Sequence, residues 1–119
     1  MSSGRFALAF LLAASACGGG EPKPVQQAVC DVVPPTECPD PAPNYADVAP
    51  IFQQRCASCH FDAPGAPWPL DTYSHVADWA VVVRDELVRC AMPPADSGIT
   101  LPVSERDRIL NWVRCGYPE

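Results

Sequence analysis

Proline and glycine between residues 18 and 43 restrict a packed core to the remainder of the chain. This stretch begins Gly18-Gly19-Gly20, shows no helical periodicity and then carries a run of prolines: Pro22, Pro24, Pro34, Pro35, Pro39, Pro41 and Pro43. Such a composition is typical of an extended, semi-rigid linker. About 70 residues then remain to fold, and a domain of that size usually needs disulfides, a metal or a cofactor.

The N-terminus predicts a signal peptide over residues 1–16. A single positive charge precedes the apolar stretch Phe6 to Ala14, and small residues lead to Cys17. The stretch is shorter than the roughly 20 residues that cross a bilayer. It resembles a bacterial lipoprotein signal, which implies cleavage before Cys17 and lipidation of that thiol. Because Ala14 replaces the usual leucine, cleavage nearby by the ordinary signal peptidase stays open.

Export is expected by either route. With a lipid on Cys17, the protein is expected on the periplasmic side or at the outer membrane, anchored to the membrane by its acyl chains. The formal net charge of −6 gives no electrostatic footprint for nucleic-acid binding. An acidic surface instead favours basic partners or plain solubility.

The segment Cys56-Ala57-Ser58-Cys59-His60 carries the clearest chemical pattern. Two thiols three residues apart lie on one side of a helical turn, where both can form thioethers with the vinyl groups of a haem. The adjacent His60 can then bind the iron as proximal axial ligand. We therefore expect one covalent haem c held by Cys56 and Cys59.

Three other interpretations compete with haem attachment at this motif. A thioredoxin-like redox pair expects alternating strands and helices, which this sequence does not predict. An ordinary disulfide between Cys56 and Cys59 would leave His60 without a role. A structural zinc site needs four ligands, and the remaining candidates show no paired spacing: His75, Cys90 and Cys115.

Met92, in Met92-Pro93-Pro94, is the only methionine left once the signal peptide is removed. A thioether is a soft ligand for haem iron, and a His/Met pair raises the reduction potential. Met92 is therefore predicted as the distal axial ligand. The alternatives are a methionine that fills the core, and His75 as the sixth ligand, although His75 is expected to cap a helix or face water.

The other cysteines predict disulfides, because free thiols rarely persist in an exported chain. If Cys17 is lipidated and the motif holds haem, two pairs remain, which we predict as Cys30–Cys38 and Cys90–Cys115. A second possibility stays open, in which Cys30 or Cys38 fastens the tether to the domain.

Helical periodicity places these residues on three helices. Asp47 is predicted to cap the first, whose first turn tolerates Pro50, and its apolar stripe leads into the motif: Val48, Ile51, Phe52 and Cys56. The Pro-rich loop 61–70 is predicted to wrap one haem edge, with Trp68 either against the porphyrin or anchoring the loop.

The second helix is predicted over residues 74–89, and its apolar positions recur at helical spacing: Val76, Trp79, Ala80, Val83 and Leu87. Ser104 and Asp107 form a plausible capping pair for the third helix, which Gly116 is expected to end. The predicted organisation is a signal peptide at 1–16, a tether at 17–43 and a folded domain at 44–119.

From about residue 45 to 117, the chain resembles a small class I cytochrome c domain. The resemblance is carried by the Cys-Ala-Ser-Cys-His motif, the Met92-Pro93-Pro94 loop and a last helix ending Asn111-Trp112-Val113-Arg114-Cys115-Gly116. It implies an all-α fold around one haem, with His60 and Met92 as axial ligands and electron transfer as the function. Lys23 is the only lysine, so the lysine-rich rim that docks acidic partners is missing.

We therefore expect an electron carrier rather than an enzyme, either a monomer or the electron-entry subunit of a larger redox complex. The resemblance does not identify its redox protein partners. Two other classes stay open: a haem-based gas sensor or peroxidase-like domain with a displaceable sixth ligand, and a haem-free, disulfide-stapled surface lipoprotein.

Overall fold

A computed structural model describes residues 30–119. The predicted signal peptide, the lipid-anchor residue Cys17 and the first part of the tether lie outside this range. Three helices follow one another: α1 (Tyr45–Arg55), α2 (Tyr73–Val88) and α3 (Val103–Arg114). None of the described residues forms a strand, so the all-α prediction is confirmed for this part of the chain. None of its helices is long and apolar enough to cross a membrane.

The third helix is the centre of the domain, because α3 packs against both α1 and α2. Its Trp112 is fully buried, lies edge-on to Phe52 of α1 at 6.1 Å between ring centroids, and donates from Nε1 to Pro118 O at 2.7 Å. The predicted apolar stripes supply most of the core: Val48, Ile51, Phe52, Leu70, Val76, Ala80, Leu87, Ile109, Leu110, Trp112 and Val113.

The first helix begins earlier than predicted, because Asn44 rather than Asp47 is its N-cap. Asp47 N donates to Asn44 Oδ1 at 3.3 Å, and Asn44 N donates to Asp47 Oδ2 at 2.9 Å. These reciprocal bonds form a capping box, in which the carboxylate of Asp47 accepts from the backbone of the cap residue. Pro50 consequently lies inside α1, beyond the first turn where it was expected.

The other helix ends lie closer to their predicted positions, although the predicted cap of α3 is not formed. The second helix is displaced by one residue from its predicted bounds, and Thr72 caps it by accepting from His75 N at 3.3 Å. The predicted Ser104–Asp107 capping pair is wrong, since α3 begins at Val103 after Pro102, without a side-chain cap. Gly116 has a φ of 85° and ends α3 as expected.

Two disulfides fasten the extended segment 30–43 to the helices. Cys30 bonds to Cys90 after α2, and Cys38 bonds to Cys115 after α3. The predicted pairs Cys30–Cys38 and Cys90–Cys115 are therefore wrong, and the alternative that pins the tether to the domain is the one observed.

The reason for this pairing lies in the stiffness of the segment. Pro34 and Pro35 lie between Cys30 and Cys38 and favour an extended backbone, which rises about 3.1 Å per residue. A disulfide instead needs Cα atoms within about 7 Å. The segment therefore reaches across the domain, and its Val32 packs against the hydrophobic core.

Candidate haem-binding site

The end of α1 folds the Cys-Ala-Ser-Cys-His motif into one further turn. Cys56 N and Ala57 N both donate to Phe52 O, at 2.9 and 2.8 Å. Cys59 N and His60 N both donate to Cys56 O, at 3.1 and 2.9 Å. The structure therefore places Cys56, Cys59 and His60 in one turn.

Cys56 and Cys59 are the free cysteines of the described chain. Cys56 is half-buried and Cys59 is exposed. Burial raises the pKa of the Cys56 thiol to about 11, and the neighbouring Cys59 adds to the rise. A redox-active pair or a thiolate zinc ligand usually has a lowered thiol pKa. With no group bound, the Cys56 thiol is therefore protonated at neutral pH, unlike the reactive thiol of a redox pair.

His60 is oriented by the backbone of the following loop. Its Nδ1 lies 2.9 Å from Pro67 O and 3.1 Å from Trp68 O. Because a carbonyl oxygen can only accept a hydrogen bond, Nδ1 must carry the hydrogen. In the neutral imidazole, Nε2 then keeps its lone pair. Histidine ligands to metals usually have this arrangement, which fixes the tautomer and the ring orientation.

The loop 61–70 is closed at its base by backbone and side-chain bonds. Leu70 N donates to His60 O at 2.8 Å, and Leu70 is buried in the core. Asp62 N donates to Asp71 Oδ2 at 3.1 Å. Both ends of the loop are thus held together, which keeps the carbonyl oxygens of Pro67 and Trp68 next to His60.

Trp68 lies in this loop with a left-handed backbone conformation, at a φ of 44°. Its ring is edge-on to Trp79 of α2, with 6.1 Å between the ring centroids. The contact fits the expected role as a loop anchor. Trp68 is also 53% exposed and Phe61 is 47% exposed, so both rings leave apolar surface next to the motif.

Met92 belongs to a different segment of the chain from the motif turn. It belongs to the loop between α2 and α3, two residues after the disulfide-bonded Cys90, and it is half-buried. His75, the rival sixth ligand, has its Nδ1 2.7 Å from Asp71 Oδ1. The structure therefore joins three of the four predicted haem residues in one turn and places the fourth in a separate loop.

The zinc interpretation loses two of its three remaining candidate ligands to the disulfides. Cys90 and Cys115 are bonded to Cys30 and Cys38, so neither offers a thiolate. Within residues 30–119, no group of three or more His, Cys, Asp or Glu side chains is placed to hold a metal ion. The motif residues form no such group either, so haem binding at the motif turn has to rest on the chemistry of its side chains.

The donor set fits a haem. Two unpaired thiols at the required spacing can hold the vinyl groups, and His60 Nε2 can bind the iron. Two open grooves of about 280 and 270 Å³ lie elsewhere, and neither is lined by a motif residue. The fit therefore rests on ligand chemistry.

No protein-family model, curated protein or solved structure matches this chain. Its function therefore has to be argued from its own residues.

The sequence alone did not predict the groups that orient His60, namely the carbonyl oxygens of Pro67 and Trp68 and the loop closure by Asp71. The prolines of the 61–70 loop were the available signal, because they predicted a constrained turn just after His60.

The Asp71–His75 pair predicts a pH-dependent stability. The hydrogen bond with Asp71 raises the pKa of His75 above its usual 6.5, and the same contact lowers the pKa of Asp71 below 3.8. The histidine contribution is then fully present below pH 6.5 and lost as the pH rises through the raised pKa. The aspartate contribution is present above pH 3.8 and lost as the pH falls through the lowered pKa.

We expect His75→Gln to lower the free energy of unfolding most between pH 3.8 and 6.5, and least in alkaline solution. Urea unfolding of both proteins across this range measures the difference. Ser74→Gln, at the exposed neighbouring position, is the control. A difference that stays constant with pH would contradict the ion pair.

Proposed function

We propose that this chain is a mono-haem c-type cytochrome that transfers single electrons. Cys56 and Cys59 would hold the haem, and His60 would be its proximal ligand. The observation that carries the proposal is the hydrogen bond from His60 Nδ1 to the carbonyl oxygen of Pro67, in the same turn as two unpaired thiols. That bond leaves Nε2 to bind iron.

A bound haem would supply an Fe(III)/Fe(II) couple, which accepts and releases one electron. The chain's own residues would set its environment. Thioethers from Cys56 and Cys59 would prevent loss of the group. The bond to Pro67 would hold the His60 ring and make Nε2 more electron-rich, which favours the ferric state.

We further propose Met92 as the distal ligand, which would make the iron coordinatively saturated and favour an electron carrier over an enzyme. The support is chemical. Met92 is the only methionine of residues 30–119. It lies two residues after Cys90, so the Cys30–Cys90 disulfide restrains one end of its loop.

Export and a lipid anchor on Cys17 complete the proposal. The two disulfides support export, because such bonds persist mainly outside the reducing cytoplasm. The protein would then act at a membrane surface, with redox proteins as partners, alone or as the electron-entry subunit of a larger complex.

A potentiometric titration of the purified holoprotein tests the function. We expect one reversible one-electron wave and no rapid carbon monoxide binding by the ferrous protein, because Met92 fills the sixth position. Met92→Ala should lower the reduction potential, remove the weak red band of ferric Met-ligated haem and permit carbon monoxide binding. His75→Ala, the matched control, should change none of these properties.

Rapid carbon monoxide binding by the unaltered protein would favour a gas sensor or a peroxidase-like domain. A chain that takes up no haem when it is made with a cytochrome c maturation system would favour the haem-free surface lipoprotein. A ferric spectrum without the red band, together with carbon monoxide binding that is gained in His75→Ala and not in Met92→Ala, would assign the distal position to His75.

A further inference from the structure

The disulfide between Cys30 and Cys90 lies at the surface of the domain. Both cysteines are exposed, and Cys90 directly follows the cap residue of α2. In the disulfide between Cys38 and Cys115, by contrast, Cys38 is exposed but Cys115 is half-buried. A dissolved thiol can therefore reach the Cys30–Cys90 bond with less obstruction, and exposed disulfides are typically the ones that exchange with other thiols.

Cys90 occupies a backbone position that usually belongs to glycine. Its N donates to Leu87 O at 3.2 Å, and Ala91 N donates to Glu86 O at 2.9 Å. These two bonds form the Schellman motif that ends many helices, in which the residue in the place of Cys90 adopts a left-handed conformation. Cys90 has a φ of 54°, and the Cβ of a residue other than glycine destabilises that conformation. An open disulfide would leave the backbone of Cys90 free to relax, which favours reduction.

The second disulfide lacks this backbone strain. Cys115 is the cap residue of α3, and its φ of −77° is ordinary for any residue. The two disulfides close similar separations of 60 and 77 residues, so chain entropy makes them nearly equally hard to open. Exposure and backbone strain therefore both make Cys30–Cys90 the more easily reduced bond.

The Cys30–Cys90 bond also anchors the loop that carries Met92. Met92 lies two residues after Cys90. Within the described residues, the hydrogen bonds made by positions 92–100 stay inside the loop, and each of them involves Ser97. The far end of the loop is held where Leu101 packs against the core. The disulfide is thus the covalent restraint on the end nearer to Met92.

We propose that the Cys30–Cys90 disulfide is a thiol-exchange site for an exported dithiol protein, and that its opening releases Met92 from the iron. The release of Met92 rests on the proposed function. In the exchange, a thiolate of the dithiol attacks one sulfur of the bond, and the other sulfur leaves and takes up a proton. The second thiol of the dithiol then attacks the mixed disulfide. Two electrons and two protons pass to Cys30 and Cys90, and the dithiol becomes a disulfide.

The release would change what the iron can do. With Met92 bound, both axial positions are filled by protein, as an electron carrier requires. Without it, the sixth position is open to carbon monoxide and the reduction potential falls. The oxidised disulfide would thus keep the protein an electron carrier, and the reduced cysteine pair would switch that function off.

A titration of the purified holoprotein with dithiothreitol, a small dithiol, tests the exchange site. New thiols are alkylated at each step under native conditions and located by peptide mapping. Cys30 and Cys90 should become alkylated together, at a ratio of reduced to oxidised dithiothreitol about tenfold lower than Cys38 and Cys115 require. Equal ratios, or earlier opening of Cys38–Cys115, would overturn the exchange site.

Carbon monoxide binding by the ferrous holoprotein tests the release of Met92. The variant with Cys30→Ser and Cys90→Ser should bind carbon monoxide rapidly. Its matched control, with Cys38→Ser and Cys115→Ser, loses a disulfide of similar span and should bind as slowly as the unaltered protein. If the first variant yields no holoprotein, binding is measured in the unaltered protein at the dithiothreitol ratio that opens Cys30–Cys90 alone. Slow binding after this disulfide is lost, or equally rapid binding by both variants, would overturn the release.

These results separate the inference from the proposed function. Rapid carbon monoxide binding by the unaltered, fully oxidised protein would refute Met92 as distal ligand and with it the release. Absence of haem from the unaltered chain would refute the proposed function. In both cases the alkylation pattern still decides the exchange site, because it does not depend on the haem.

Discussion

Replacing both Cys56 and Cys59 with alanine is expected to abolish covalent haem attachment completely. Each thioether needs one of these sulfurs, and the four other described cysteines are consumed by disulfides. The single variants should keep one thioether each. Cys56→Ala is expected to reduce the yield more, because Cys56 also lies half-buried against the core.

The measurement is the haem that remains with the protein after extraction with acidified organic solvent. The matched control is the double substitution Cys30→Ala and Cys90→Ala, which also removes two cysteines but leaves the motif intact. It should retain covalent haem. Equal loss of haem in both double variants would mean that folding, and not the motif thiols, limits attachment.

Removing the Cys38–Cys115 disulfide by a double alanine substitution should lower the free energy of unfolding by about 2–5 kcal/mol, as is typical of small secreted domains. The bond closes a separation of 77 residues, so its loss frees much of the unfolded chain. The Cys30–Cys90 bond closes 60 residues. The entropy that the unfolded chain gains on losing a disulfide depends on the logarithm of the loop length. This entropy should therefore make the losses of stability for the two disulfides differ by only about 0.2 kcal/mol.

Guanidinium unfolding of the oxidised holoproteins measures both effects. Reduction of the disulfides in the unaltered protein should lower the stability at least as far as either double variant. A loss below about 1 kcal/mol for Cys38 and Cys115 would contradict a structural role. It would also imply that the 30–43 segment retains its position through packing alone, including that of Val32.

The helices could be predicted because their apolar residues repeat with a helical period. Val76, Ala80 and Leu87 are buried where the pattern placed them. The helix ends were harder, because Asn44 and Asp47 can each cap a helix and only their reciprocal bonds decide between them. Pro102 before α3 offered no capping side chain to detect.

The predicted pairing of the disulfides was wrong for a different reason. Pairing depends on which ends of the chain meet in three dimensions, and proximity in sequence favoured Cys30 with Cys38. The stiff Pro34-Pro35 segment was visible in the sequence, but its path toward Cys90 and Cys115 was not.

The members of the candidate site that are close in sequence share one turn of the structure. Cys56, Cys59 and His60 lie within five positions, so one turn brings them together. The orientation of His60 by Pro67 is a tertiary feature of the loop. Whether Met92 binds the iron stays a prediction, because that contact would join two separate loops.

The most direct test of covalent haem binding is the mass of the intact protein, made with a cytochrome c maturation system and extracted with acidified organic solvent. Our proposal predicts a polypeptide heavier by one haem, with peptide mapping that locates the added mass on Cys56 and Cys59. A mass equal to that of the polypeptide alone, with all haem in the organic extract, would contradict it.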